Sequence, residues 1–113
     1  MLGIEMEFIK GILFIRLDGK LNGDTCNKLY EEVAEMVFDN GIRNIVFNLE
    51  NVNEIDINGI NSLIYNYKLC KQNKGESIIC NINGNVKRAL ARSTQSYIPI
   101  TNNELTALNI FNI

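Results

Sequence analysis

Arg43-Asn44-Ile45-Val46-Phe47-Asn48-Leu49 holds three strand formers in a row at Ile45, Val46 and Phe47. Such a run, apolar on both faces of a pleat, predicts a central strand covered on both sides. Downstream, Ile60, Leu63, Ile64, Tyr67 and Cys70 recur at helical spacing and stop near Gly75, and Ser77 to Ile82 reads as the next strand, with Ile78, Cys80 and Ile82 on one face. Strand, helix and strand over short links make a βαβ unit with a right-handed crossover and a parallel pair. Upstream, Cys26, Leu29, Tyr30, Val33, Met36 and Val37 form a second helical stripe opposite Glu31, Glu32 and Glu35. This predicts a helix over Thr25 to Asp39, with Asp24 as its N-cap and Gly41 as its left-handed stop.

The ends of the chain extend the same plan. Ile4, Met6 and Phe8 alternate with Glu5, Glu7 and Ile9, and Lys10-Gly11 separates them from Ile12 to Leu17, the pattern of an opening hairpin. After the Asn83-Gly84 break, Val86 to Ala91 suits a short helix. Tyr97-Ile98-Pro99-Ile100 suits an edge strand, because Pro99 cannot donate to a ladder. Asn102 or Asn103 can cap a terminal helix through Leu105, Leu108 and Phe111. The expected fold is α/β: a mixed sheet of four to five strands with an opening antiparallel hairpin, backed by about four helices, in one domain over residues 1–113.

The 113 residues are 46% hydrophobic and 21% charged, which suits one domain core. Eleven Lys and Arg against thirteen Asp and Glu leave a net charge of −2, so no broad positive field awaits nucleic acid. With no histidine, Ser-His-Asp and Cys-His catalysis and the imidazole metal ligand are excluded. Cys26, Cys70 and Cys80 form an odd set without a CxxC pair, which reads as buried reduced thiols, with no metal or cofactor site expected. Glu5 and Glu7 stand where a secretory leader would be basic and then apolar, and the longest wholly apolar run, Ile12 to Ile15, is too short to span a bilayer. A cytoplasmic protein without membrane insertion is expected.

In an open α/β sheet, ligands and partners meet the segments leaving the carboxyl ends of the strands. Two such segments stand out, Asp18 to Asp24 and Glu50 to Gly59, and both are expected to be loops. In the second, Asp56 as N-cap makes Ile57 the first residue of the helix and pairs Ile55 with Ile60 as a hydrophobic staple. Ile57, Asn58 and Gly59 then form an exposed first turn. The simplest role for Asp56 is capping alone.

Four short motifs, in this order, resemble the STAS domain of bacterial anti-sigma factor antagonists: Leu17-Asp18-Gly19-Lys20-Leu21-Asn22, Arg43 to Leu49, Ile55-Asp56-Ile57-Asn58-Gly59, and Val86-Lys87-Arg88. The resemblance implies a non-catalytic protein-binding module whose partner is an anti-sigma factor that is also a serine kinase. It points to Asn22, Asp24, Asp56, Ile57, Asn58 and Gly59 as partner-binding residues. It also exposes two departures. Ile57 stands where the family carries a phosphorylatable Ser or Thr, so no phosphate can be placed at that residue, and Ser62 is the nearest alternative hydroxyl. Asn22 stands where the family usually has an acid, which removes a negative charge beside Asp56.

Two other readings remain open on the same frame. One is a STAS scaffold or accessory subunit of a signalling complex or lipid transporter, for which phosphorylation is not required. The other, from a different class, is a small-ligand or anion sensor, or an enzyme, using Asp56 and the helix N-terminus; it requires a concave, partly apolar pocket at that loop. Glu54 and Asp56 are two acids on one segment, but a general acid-base pair needs such a pocket as well. The Lys87, Arg88 and Arg92 cluster reads as a solvated helix face or a contact for an acidic partner.

Overall fold

In a computed structural model that describes residues 1–93 and 98–111, strands β1 (Leu2–Ile9) and β2 (Ile12–Leu21) form the opening hairpin. Lys10 (φ 53°) and Gly11 (φ 84°) both lie in the left-handed region, the two-residue turn whose twist matches that of the flanking strands. Helix α1 (Cys26–Ala34) leads into a π-helical turn over Glu35–Asp39, so the single helix expected to Asp39 changes pitch after Ala34. Strand β3 (Asn44–Ile55), helix α2 (Ile57–Gln72), strand β4 (Glu76–Cys80), helix α3 (Gly84–Ala91), strand β5 (Ile100–Thr101) and helix α4 (Glu104–Phe111) complete the order. The five strands lie in sequence order across one sheet, antiparallel only between β1 and β2. The mixed sheet with its hairpin and four helices has the expected architecture.

Strand β3 is central, and Ile45, Val46 and Phe47 are fully buried. On one face Ile45, Phe47 and Leu49 pack with Leu29, Val33, Leu63, Val86 and Leu90 of α1, α2 and α3. On the other, Val46 packs with Phe14, Ile78 and Cys80 beneath Ala107 of α4. A partly exposed ionic cluster pins α4: the Arg16 guanidinium donates to both oxygens of Glu104 (2.8 and 2.9 Å) and to Glu5 and Glu7, while Asn48 also donates to Glu104.

Several boundaries differ from the sequence expectation. Asp18–Leu21 and Glu50–Ile55 are not loops; they extend β2 and β3 as a parallel pair, in which Asp18 lies opposite Asn51 and Leu21 opposite Ile55, with two register shifts. Strand β4 ends at Cys80, leaving Ile82 outside it, because Asn81 turns into the left-handed region (φ 57°). The last strand is an edge as expected but only Ile100–Thr101 pair; Pro99 precedes them and its carbonyl accepts from the Ile79 N–H at 2.9 Å. Tyr97 lies outside the described residues.

Candidate functional site

The extended β2 and β3 end side by side at Leu21 and Ile55 and so deliver the first turns of α1 and α2 to one place. Asp56 joins them. Its Oδ1 accepts from the Gly59 N–H at 2.9 Å as the N-cap of α2, and its Oδ2 accepts from the Gly23 N–H at 3.3 Å in the neighbouring turn. The Asp56 N–H in turn donates to the Leu21 carbonyl at 3.3 Å. Gly59 makes this approach possible, since a Cβ there would overlap the Leu21 carbonyl oxygen and crowd Ile55. Ile55 and Ile60 flank the cap in one core cluster, as a staple requires.

The turn before α1 is organised by Asn22 and not, as the sequence led us to expect, by Asp24. Asn22 Oδ1 accepts from the N–H groups of Asp24 (2.9 Å) and Thr25 (3.2 Å), and Asn22 Nδ2 donates to Glu54 at 3.2 Å. The Asn22 N–H donates to Thr25 Oγ1, whose hydroxyl donates to the Lys20 carbonyl at 2.7 Å. Thr25 stands at the N-cap position without a side-chain cap bond, and Asp24 is left exposed with its carboxylate on the surface. A side chain two residues earlier has taken the capping work through an Asx turn.

Ile57 is 60% exposed and Asn58 is exposed beside it, against Gly23. Two expectations need correction. Gly59 is buried behind the turn, so it lets the surface form without being part of it. Ser62 is fully buried, and its Oγ donates to the Gly59 carbonyl at 2.6 Å, so it offers no reachable hydroxyl. Two further features were missed in the sequence. Tyr65, two turns along the Ile57 face of α2, is half exposed and meets Tyr30 of α1 edge-on at 5.1 Å between ring centroids. Ser93, just beyond α3, lines a depression of about 240 Å³ together with Ile55, Asp56, Ile57, Ile60 and Arg92.

Burial pushes the Cys70 and Cys80 thiols up to about 12, which keeps them neutral. All three cysteines are free and buried. Among the described residues no group of three or more His, Cys, Asp or Glu could hold a metal, and no helix is long and apolar enough to cross a membrane. A hollow of about 550 Å³ at the ends of β2 and β3 is lined mainly by Asp18, Glu50, Asn51, Asn53, Asn83 and Asn85, and Asn83 spends its amide there on the Val52 carbonyl at 2.6 Å.

The sequence profile of the STAS domain matches residues 3–107. A Paenibacillus polymyxa protein named anti-sigma F factor antagonist is 35% identical over 108 residues, spanning 95% of this chain and 92% of its own. Two solved structures share the fold: an anti-sigma factor antagonist of Mycobacterium paratuberculosis (TM-score 0.84, 16% identity, 97% of this chain and 93% of that one), and the Bacillus cell fate determinant SpoIIAA in its phosphorylated form (TM-score 0.74, 16% identity, 96% and 99%).

Proposed function

The chain belongs to the STAS domain family, and from that premise we propose that it is a single-module, non-catalytic anti-sigma factor antagonist acting in the cytoplasm. Its partner is an anti-sigma factor of the serine-kinase kind. Its contact surface is built from Asn22, Asp24, Asp56, Ile57 and Asn58, with Gly59 beneath. The observation that carries this reading is the Asp56 clasp, which fixes two adjacent turns and sets Ile57 outward on a helix start. A fixed surface with an exposed apolar centre and a polar rim is the usual anatomy of a protein contact. The name of the 35% identical relative supports the choice of partner.

Ile57 carries no hydroxyl, so binding at this surface is not switched by phosphate on the first turn of α2. The sensor or enzyme reading has less support. Both Asp56 oxygens are engaged by backbone N–H groups, which accounts for the carboxylate as a clasp between two turns without a ligand. The test is displacement: the purified chain is added to a preformed complex of the anti-sigma factor and its sigma factor, and free sigma factor is measured. The expected result is release by the wild-type chain, with Ile57→Asp needing roughly 5- to 30-fold more protein for the same release. No release at saturating chain, or equal release by both proteins across the titration, overturns the proposal.

A further inference from the structure

The outer edge of β1 is open, and the hairpin fixes which of its backbone groups face out. The two-residue turn closes on the pair Ile9 and Ile12, so the residues of β1 in step with Ile9 bond to β2, while Leu2, Ile4, Met6 and Phe8 turn their N–H and C=O groups outward. Two bonds agree with this phase. The Lys20 N–H donates to the Met1 carbonyl at 3.1 Å on the inner side, and Lys28 Nζ donates to the Leu2 carbonyl at 2.8 Å on the outer side. Among the described residues nothing further bonds to that edge, which leaves the outward groups of Ile4, Met6 and Phe8 to solvent. Edges are usually blunted by short length, a bulge, Pro or Lys. The opposite edge, β5, is two residues long, whereas β1 has eight in unbroken register with neither Pro nor Lys among them.

We propose that the edge from Ile4 to Phe8 is a docking site for an extended segment of a protein partner in which apolar residues alternate with Lys or Arg. The added strand takes up the outward N–H and C=O groups of Ile4, Met6 and Phe8, and its side chains meet two different strips. On the helix side of the sheet lie Ile4 and Met6, partly buried against the core, and Phe8, which is 58% exposed. On the other side stand Glu5 and Glu7, whose side chains are 70% and 51% exposed. Arg16 bonds to both but also to Glu104, so three carboxylates share one guanidinium and an excess of negative charge remains. Basic residues laid opposite Glu5 and Glu7 complement that charge as cross-strand pairs. The same acids disfavour a second copy of this chain. Antiparallel self-pairing about Met6 sets Glu5 of one copy opposite Glu7 of the other, and like charges in that position destabilise a sheet. Strand β2 separates this edge from β3, and the edge shares no residue with the surface around Asp56, so the inference stands independently of the partner proposed there.

The probe is a short capped peptide alternating Arg and Val, titrated to millimolar concentration at low salt into the isotope-labelled full chain, beside a peptide with Glu in place of Arg. Backbone amide shifts are expected at Ile4, Met6 and Phe8, together with slowed hydrogen exchange of those amides, and no response to the Glu peptide. Met6→Pro removes one outward donor, a change an edge strand tolerates on its solvent side, and should abolish the shifts while the hairpin's inner ladder persists. If the hairpin opens in that variant, the chain carrying Glu5→Gln and Glu7→Gln decides, since it keeps every backbone donor and should bind the Arg peptide roughly 2- to 30-fold more weakly. No shifts in β1, shifts centred elsewhere, equal response to the two peptides, or undiminished binding by the double variant overturns the proposal. So does a dimer, seen by sedimentation of the free chain, whose formation produces the same β1 shifts without peptide.

Discussion

Ile57→Asp separates surface from core in one substitution. Full burial of an isoleucine is worth about 1.5–3 kcal/mol, and 60% of Ile57 remains to be covered, so its complete burial in a complex contributes about 1–2 kcal/mol. Losing that contact and placing a carboxylate in it should weaken binding by roughly 5- to 30-fold. The free domain should hardly register the change. Ile57 is the first residue of α2, whose first turn has no acid, and an acid there gains about 0.3–1 kcal/mol from the helix dipole, set against repulsion from Asp56 next to it. The assay pairs denaturant melts of the free chain with calorimetric titration against the anti-sigma factor. A stable variant with unchanged affinity refutes the assignment of Ile57 to the contact. A melt lowered by several kcal/mol refutes its exposure, since only a buried charge carries such a cost.

Asp56→Ala should cost about 0.5–2 kcal/mol, toward the upper end because the bond from Gly23 is lost with the cap, whereas Asp24→Ala should stay within about 0.5 kcal/mol of wild type; denaturant midpoints compare them. Gly59→Ala forces the Leu21 carbonyl away and should destabilise the domain by about 1–3 kcal/mol or more, read by the same melts. The Arg16 guanidinium holds the Glu104 carboxyl below the usual carboxylate range, so its contribution is complete above that range and fades as pH falls through the lowered value. Acid titration followed by amide exchange should therefore loosen α4 early, and Glu104→Gln should remove most of that pH dependence. With Cys70 and Cys80 pushed up to about 12 and buried, a thiol reagent at neutral pH should label neither until the chain unfolds.

The elements that bury a stripe were legible in the sequence. Ile45-Val46-Phe47 announced a strand covered on both faces, and the Ile60 to Cys70 spacing announced α2, because burial writes its period into the residues. The carboxyl ends of β2 and β3 were not legible. Asp18, Gly19 and Lys20, like Glu50, Asn51, Asn53 and Glu54, are polar turn formers, and what makes them strand is the neighbouring strand itself, with Leu17, Leu21 and Val52 pointing inward. The same gap hid part of the site. Asp56 as a cap was readable from its spacing to Ile60, but its second bond, to Gly23, joins residues 33 apart and depends on the register of β2 with β3. Asn22 could have been identified as an Asx turn from Asn22-Gly23-Asp24-Thr25, in which a side-chain acceptor precedes two free N–H groups. Ser93 carries no local signal at all; only the packing of α3 beside α2 brings it opposite Ile57.

The central claim is that the paired turns at Asn22 to Asp24 and Asp56 to Asn58 are the contact surface, and backbone amide shift mapping tests it most directly. The isotope-labelled chain is titrated with the purified anti-sigma factor. The account predicts that shifts and line broadening concentrate at residues 22–24 and 56–58 and extend along the exposed face of α2 toward Tyr65, leaving α4 and β5 unmoved. Perturbations centred on α4 and β5, with the two turns unchanged, would contradict it.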